Sequence, residues 1–296
     1  MPFSQPTQGF RLYYERSGQG TPVVLVHGNP GDHKEYSRVV PLLGDDVEVV
    51  TPDLRGYGKS DKHLGDVGNA YSLTGQVDGV IALIDELGIR DAVLCGYDVG
   101  SFTVQTIAAK RPDLAHSLVI APPTMGVGRR ILEEKAVNAF LHAILYKTRL
   151  VEDLIDGKPD AVRAALRENL ESWSPPGSPA PEALLDHLTE NHSAPGAFVA
   201  GAMWFRYPEG NPITYYANET KPAPGDRFSK NVTILWPDSD ALFPPEWSDT
   251  LGDYYSDYDL HMMENTGHFS PVDSPQTWAQ HIRKHVQAAA RQHATA

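Results

Sequence analysis

Residues 93–101 read V-L-C-G-Y-D-V-G-S, and the architecture of the chain can be worked out from this stretch. An apolar run ends in Gly96-Tyr97-Asp98-Val99-Gly100, and a helical pattern continues to Lys110. Two glycines around one central side chain permit a strained strand-to-helix turn that pushes this side chain out at the edge of a sheet. The following helix directs its N-terminal N–H groups there, where they favour negative charge. The spacing predicts that Asp98 is an exposed nucleophile, and the simpler alternative makes it only the N-cap of the helix.

Short apolar runs recur on both sides of this turn and indicate strands. Continuous apolar runs that end at turn residues are typical of strands buried on both faces. These runs occupy residues 23–26, 47–50, 92–95, 117–120, 232–236 and 260–263. Helical patterns at 74–87 and 99–110 lie between them, so strand and helix alternate. The sequence therefore predicts an α/β fold with a mostly parallel central sheet and right-handed crossovers.

A different pattern fills residues 124–225, where helical stretches replace the strand-like runs. These stretches lie at 131–155, 160–172, 182–191 and 197–205. We therefore predict a core of residues 1–123 and 226–296, into which a helical cap of residues 124–225 is inserted. In open α/β sheets the functional groups lie at the carboxyl ends of the strands, so we expect a site between cap and sheet.

The charge and hydropathy of the chain narrow the class of partner. The 296 residues carry a formal net charge of -13, which disfavours nucleic acid and anionic membrane surfaces as partners. No apolar run approaches the roughly 20 residues of a membrane helix, and no signal peptide is visible. We therefore expect a cytoplasmic monomer or homodimer that acts on a small apolar molecule.

Two further patterns bear on cofactors. The single cysteine, Cys95, lies inside an apolar run and is interpreted as a packing residue. No cysteine–histidine cluster has the spacing of a zinc site, and no glycine-rich loop after a strand has the form that holds phosphate. We therefore expect neither a metal nor an organic cofactor.

The whole chain resembles the α/β-hydrolase family, from His27-Gly28 through the turn at Asp98 to Thr266-Gly267-His268-Phe269. The nucleophile, the acid and the histidine follow one another in that family's chain order. An aspartate at the turn is similar to the branch that contains epoxide hydrolases and haloalkane dehalogenases. A carboxylate attacks saturated carbon without needing a base and becomes an ester that water can hydrolyse. The resemblance therefore implies a hydrolase with an α/β-hydrolase fold that forms an alkyl-enzyme ester on Asp98.

The resemblance also implies roles for residues outside the turn. His268, in the loop between the last strand and the last helix, is expected to activate water. Asp240 is expected to orient His268, and Asp238 is the competing candidate. The backbone N–H groups of Asn29 and Val99 are expected to hold the oxyanion that forms during ester hydrolysis.

Two leaving groups remain possible, and a halide is the first. A departing halide needs N–H donors. His27-Gly28-Asn29-Pro30 resembles the form found in haloalkane dehalogenases, with Asn29 as the halide ligand. Val99, however, replaces the Trp that usually follows the nucleophile in those enzymes. Trp204 or Trp173 of the cap would have to supply the second donor.

An epoxide is the other leaving group, because it opens to an alkoxide that needs a proton donor. The family usually supplies this donor with two cap tyrosines. Trp204-Phe205-Arg206 resembles the aromatic-Tyr-Arg motif of epoxide hydrolase caps. Phe205 occupies the place of the tyrosine, and Tyr207, two residues later, is the nearest hydroxyl in the chain.

The second cap donor is also displaced. Residues 149–155 resemble the cap helix of epoxide hydrolases, which places the expected donor at Phe140. His142 and Tyr146 are the nearest polar candidates. The cap resemblance spans more residues than the Asn29 signal, so epoxide hydrolysis is the favoured function and dehalogenation the second. A third alternative is a non-enzymatic protein whose pocket only binds a small apolar ligand.

Overall fold

A computed structural model describes residues 2–295 and contains a seven-stranded sheet. The strands are β1 (Tyr14–Gly18), β2 (Thr21–Val26), β3 (Val47–Pro52), β4 (Ala92–Gly96), β5 (Ala115–Ile120), β6 (Val232–Pro237) and β7 (Tyr258–Met263). Their order in the sheet is β1-β3-β2-β4-β5-β6-β7. The pairing of β1 with β3 is antiparallel, and the pairs from β3 to β7 are parallel. The predicted α/β fold with a mostly parallel sheet is confirmed.

Helices connect these strands and cover the sheet. They are α1 (Leu73–Glu86), α2 (Val99–Lys110), α3 (Glu134–Ala139), α4 (Leu141–Leu145), α5 (Pro159–Ser172), α6 (Glu182–His192), α7 (Ala197–Ala202), α8 (Pro212–Ala217), α9 (Leu251–Tyr254), α10 (Ser270–Asp273) and α11 (Pro275–Thr295). Helices α2 and α11 both pack on the central strands β2, β4 and β5. Every residue of β4 and β6 is buried, as the continuous apolar runs of these strands require. Across residues 2–295, no helix is both long enough and apolar enough to span a bilayer.

Helices α3 to α8 lie between β5 and β6, and we keep the predicted bounds 124–225 for this segment, the cap. The single helix predicted at 131–155 is wrong. The chain instead forms a 3₁₀ turn at Gly128–Leu132, then α3, α4 and a π-helical turn at Val151–Ile155. Phe140, with φ -93° and ψ 23°, separates α3 from α4.

The cap is fastened to the loop that follows β2. On α6, His187 Nε2 lies 2.6 Å from Asp32 Oδ2, and Asn191 Nδ2 donates to the same oxygen at 2.6 Å. His192 Nε2 lies 2.8 Å from the carbonyl oxygen of Pro30. Because the loop begins at the carboxyl end of β2, these contacts hold the cap over the edge of the sheet where the site was expected.

Candidate active site

Asp98 lies at the turn between β4 and α2, in a backbone conformation that non-glycine residues rarely adopt. Its φ is 51° and its ψ is -128°. The surrounding glycines have no room for a side chain. A Cβ atom on Gly100 would lie 2.0 Å from the oxygen of Val26, and one on Gly28 would lie 2.7 Å from the Asp98 Cβ. The carboxylate of Asp98 accepts no N-cap hydrogen bond from the first turn of α2, so the N-cap interpretation lacks its defining contact.

The two carboxylate oxygens of Asp98 have different partners. The backbone N–H of Asn29 donates to Oδ1 at 2.6 Å. His268 Nε2 lies 3.3 Å from Oδ2. The Asp98 side chain is 17% exposed, whereas the side chain of His268 is fully buried. The Asp98 carboxylate is thus positioned by its neighbours and is still partly exposed.

The structure places Asp240, and not Asp238, beside His268. His268 Nδ1 lies 3.0 Å from Asp240 Oδ2. The other oxygen of Asp240 accepts from the backbone N–H groups of Leu242, at 2.8 Å, and Phe243, at 3.1 Å. Asp238 instead accepts hydrogen bonds from Ser239 Oγ and from the backbone N–H groups of Asn265 and Thr266, in the loop that leads to His268. Asp98, His268 and Asp240 form one connected group in the order that a nucleophile, a base and an orienting acid require.

Charges in this group shift the pKa values of its members. Burial lowers the pKa of His268, but the carboxylates of Asp240 and Asp98 outweigh burial and raise it to about 10. Burial raises the pKa of Asp98, but hydrogen bonds from His268 and from the Asn29 N–H outweigh it, and the pKa lies below its ordinary value. At neutral pH a charged Asp98 therefore faces an imidazolium. Esterification would remove the charge of Asp98 and so lower the pKa of His268.

Aromatic side chains that sequence reasoning did not assign to the base surround His268. The ring of Phe243 stacks on it at 6.2 Å, and the ring of Trp173 meets it edge-on at 5.6 Å. The carbonyl oxygen of Trp173 also accepts the backbone N–H of His268 at 2.8 Å. Trp173 belongs to the cap, so the cap itself helps to position the base. The sequence offered no signal for these contacts, since Phe243 read as an ordinary apolar position and Trp173 was considered only as a possible halide donor.

Buried polar groups fix the loop that carries the Asn29 N–H. His27 Nε2 accepts the backbone N–H of Leu54 at 2.9 Å, and this ties the loop to the one after β3. Glu35 Oε2 accepts the N–H of Gly28 at 3.3 Å. Burial raises the pKa of Glu35 well above its usual range. Sequence reasoning missed Glu35, whose role is visible only in three dimensions.

The structure brings two of the predicted leaving-group donors towards the site. His142 is packed against Trp173, with ring centroids 4.5 Å apart. Burial lowers the pKa of His142 to about 3, and the charge of Asp98 acts on it in the opposite direction, so the imidazole is neutral. Tyr146 is buried beside it, and its hydroxyl oxygen accepts from Asn169 Nδ2 at 3.0 Å. The hydroxyl hydrogen of Tyr146 is left to donate elsewhere.

The structure places the other two predicted donors in other contacts. The hydroxyl of Tyr207 donates to the carbonyl oxygen of Gly68 at 2.6 Å, at an exposed position. Its one hydroxyl hydrogen is used there, so the structure does not support Tyr207 as a leaving-group donor. Trp204 is buried in the apolar core of the cap region. Its bulk therefore contributes to packing.

Asp32, His33 and Asp53 form a buried cluster of groups that could ligate a metal, with ligand atoms within 4.8 Å of one another. Their atoms already have protein partners. The backbone N–H of His33 donates to Asp53 Oδ1 at 2.8 Å, and the His33 ring lies at the same distance from that oxygen. Asp32 holds the cap through His187. These contacts explain the cluster as a hydrogen-bonded connection beneath the cap.

Comparison with known proteins identifies the family to which the chain belongs. A model of the alpha/beta hydrolase family matches residues 23–281. The chain belongs to the alpha/beta hydrolase family. A soluble epoxide hydrolase of Corynebacterium sp. is 25% identical over 281 residues, which cover 90% of this chain and 91% of the relative. A haloalkane dehalogenase of Mycolicibacterium paratuberculosis is 35% identical over 123 residues, which cover 40% of each protein.

Solved structures agree on the fold of this hydrolase. The structure of the epoxide hydrolase CorEH without ligand superposes with a TM-score of 0.77 at 23% identity, over 95% of this chain and 96% of that one. The predicted family and the prediction of a hydrolase are confirmed. Membership of this family disfavours the alternative in which the protein only binds a ligand and catalyses no reaction.

Proposed function

We propose that this hydrolase opens epoxides to diols through an alkyl-enzyme ester on Asp98. The position of the Asp98 carboxylate carries this proposal. It stands at a strained turn, with one oxygen held by the Asn29 N–H and the other beside His268. A carboxylate in this position suits attack on saturated carbon, and an epoxide presents such a carbon with a strained leaving group.

In the first step, Asp98 Oδ2 attacks an epoxide carbon and the ring C–O bond breaks. Oδ1 stays in the hydrogen bond from Asn29 and becomes the carbonyl oxygen of the ester. The new alkoxide needs a donor, and we assign His142 first because its ring packs against Trp173, whose ring in turn meets that of His268. A neutral imidazole N–H can stabilise a developing oxyanion. Tyr146 is the second candidate, because its oxygen already accepts from Asn169.

In the second step, water attacks the carbonyl carbon of the ester while His268 Nε2 takes a proton from it. The oxyanion on the former Oδ1 is held by the N–H groups of Asn29 and Val99. The bond between the carbonyl carbon and the alkoxy oxygen then breaks. The alkoxy oxygen takes the proton held by His268, and the second proton of the water leaves the new Asp98 carboxylic acid and replaces the one given to the ring alkoxide. The diol then leaves, and Asp98 is restored as a carboxylate. Asp240 stabilises the imidazolium throughout this step.

Dehalogenation is the second candidate, and one observation favours it. The Nδ2 atom of Asn29 is buried beside Asp98 and has no hydrogen-bond partner, while the Tyr57 hydroxyl lies 3.4 Å from its Oδ1. An unpaired amide N–H in this place could receive a halide. Val99 has no side-chain donor to complete such a site, so we rank this reaction below epoxide opening.

Intact mass spectrometry of His268→Gln, incubated with a mixed panel of epoxides and haloalkanes, tests the proposal. Without the base the ester accumulates, and we expect a mass gain equal to a whole epoxide, localised by peptide mapping to residue 98. The double variant Asp98→Asn/His268→Gln is the control and should gain nothing. A gain of an alkyl group together with free halide would instead establish dehalogenation. No adduct from either class, in folded protein, would refute the mechanism.

Single-turnover rates then test the donor. We expect His142→Phe to slow epoxide ring opening by about 100-fold or more, since a positioned acid contributes on the order of 10²–10⁴. Tyr146→Phe should show a smaller loss. Tyr207→Phe is the matched control, because that hydroxyl is bound to Gly68, and it should react like the wild type. Full ring-opening activity in His142→Phe would remove His142 from the mechanism.

A further inference from the structure

A histidine of the cap reaches the loop that carries the Asn29 N–H. His192 is the last residue of α6, and its Nε2 atom lies 2.8 Å from the carbonyl oxygen of Pro30. Pro30 follows Asn29 directly in the chain, and the Asn29 N–H donates to Asp98 Oδ1 at 2.6 Å. The cap therefore binds the loop at the residue next to the proposed oxyanion donor. The proposed mechanism assigns no role to His192.

The hydrogen bond between His192 and Pro30 has a fixed direction. A carbonyl oxygen only accepts, so Nε2 of His192 carries the hydrogen and donates it. Burial lowers the pKa of His192 to about 4, and the imidazole is therefore neutral at neutral pH. Its Nδ1 atom is buried and has no hydrogen-bond partner among the residues that the structure describes. Burying an unpaired ring nitrogen is unfavourable, so packing alone would be served better by an apolar ring.

The same turn of α6 binds the loop a second time, two residues further on. His187 Nε2 and Asn191 Nδ2 each lie 2.6 Å from Asp32 Oδ2. Residues 27–33 are all buried, so the loop has little room to shift on its own. The place of the Asn29 N–H therefore depends on where α6 lies.

The Asn29 N–H affects the two steps of the proposed mechanism differently. In ring opening, negative charge leaves the Asp98 carboxylate, so a hydrogen bond to Oδ1 stabilises the starting state more than the transition state. In ester hydrolysis, negative charge develops on the same oxygen, and the donor stabilises the transition state. A displaced Asn29 N–H would therefore slow the second step and not the first. A cap that is merely loosened would slow both steps, because it also carries the proposed ring-opening donors.

We propose that His192 is a positioning residue for ester hydrolysis. By donating to the carbonyl oxygen of Pro30, it holds the Asn29 N–H at the place where the oxyanion forms. This role rests on the proposed function, since the oxyanion belongs to the ester on Asp98. His192 acts through the backbone of the loop and not on the reacting atoms. Hydrolysis of the ester then requires α6 to be closed over the loop, whereas attack on the epoxide does not.

Single-turnover kinetics, with an epoxide that alkylates His268→Gln, resolve the two steps. His192→Phe retains an aromatic ring and loses the donor, and we expect ester hydrolysis to slow by about 10-fold to 100-fold, as for a displaced oxyanion donor. Ring opening should proceed at the wild-type rate. His192→Gln, which retains an N–H donor, should recover part of the hydrolysis rate. Tyr207→Phe is the matched control, because it removes a cap–core hydrogen bond to Gly68 and leaves the loop untouched. Equal slowing of both steps in His192→Phe, or the same selective loss in Tyr207→Phe, overturns the proposal.

The NMR signal of the Asn29 amide proton separates this proposal from the proposed function, because it needs no reaction. A short hydrogen bond to a carboxylate moves an amide proton downfield, and we expect an upfield shift in His192→Phe. Labelling with ¹⁵N-asparagine shows the signal, and its absence from Asn29→Ser identifies it. Asn191→Ala, at a half-buried position, removes one of the two contacts with Asp32 and should give a smaller shift in the same direction. A shift without any reaction of epoxides would leave the positioning right and the proposed function wrong. An unchanged Asn29 signal in folded His192→Phe, or in Asn191→Ala where His192→Phe does not fold, overturns the positioning.

Discussion

His268 lies between two carboxylates, and in the proposed mechanism this position would couple the two chemical steps. Both Asp240 and Asp98 favour the charged imidazolium. A base must be neutral to take a proton from water. Alkylation of Asp98 would turn one of the two carboxylates into a neutral ester, so the imidazole would become available at the stage when water is needed. The proposed nucleophile would thereby control the protonation of the proposed base.

Replacing the charge of Asp98 should reproduce this effect without substrate. In Asp98→Asn we expect the pKa of His268 to fall from its value of about 10 in the wild type, because one of the two stabilising negative charges is gone. NMR titration of the His268 ring gives the pKa directly. Asp238→Asn is the control, since Asp238 accepts hydrogen bonds from Ser239 and from the backbone N–H of Asn265 and not from the His268 ring, and it should change that pKa much less. Equal values in the two variants would contradict the coupling.

At the scale of elements, the turn between β4 and α2 depends on the close approach of its glycines to the backbone of β2. A Cβ atom on Gly100 would lie 2.0 Å from the carbonyl oxygen of Val26, and a strand buried at the centre of the sheet cannot move away. We expect Gly100→Ala to lower the free energy of unfolding by about 2–3 kcal/mol, as overpacking in a core does. Urea denaturation measures it. Gly225→Ala, where no atom lies within 4 Å, is the control. Equal denaturation midpoints for Gly100→Ala and Gly225→Ala would show that the turn can accommodate a Cβ atom at residue 100.

The strands differ in how far the sequence predicts them. The runs of β2 to β6 are continuous and apolar because these strands are buried on both faces, so their composition reveals them. Strand β1 (Tyr14–Gly18) lies at the edge of the sheet, and four of its five residues are exposed. An edge strand of this kind needs no apolar run and is typically polar. Its existence depends on pairing with β3, which no local pattern indicates.

In the cap, helical periodicity in the sequence does not predict where the helices end. A helical pattern runs through residues 131–155, yet the helix breaks at Phe140, whose buried ring meets that of Phe243 edge-on at 5.4 Å. Packing against a residue that is distant in the chain determines this break. The same reason explains the site. Asp98 and His268 follow strand ends and were predictable, whereas Trp173 reaches His268 only through the fold of the cap.

At the scale of the whole molecule, Asp32 joins the cap to the core. Its buried carboxylate lies in the loop after β2 and meets His187 and Asn191 of α6. Burial raises the pKa of Asp32, but hydrogen bonds from His187 and from the Lys34 N–H outweigh burial and lower it to about 2. The charged form is therefore better stabilised in the folded protein than in the unfolded chain.

This depressed pKa predicts how acid acts on the molecule. The stabilisation from Asp32 is fully present above the unfolded-state pKa, near 4, and is lost as the pH falls through about 2. The shift corresponds to about 2 kcal/mol. We expect Asp32→Asn to be less stable than the wild type at pH 7 and to lose less stability between pH 4 and pH 2, as measured by urea denaturation at each pH. Asp45→Asn, at an exposed carboxylate, should follow the wild type. Parallel curves for Asp32→Asn and the wild type would show that the charge of Asp32 does not hold the cap.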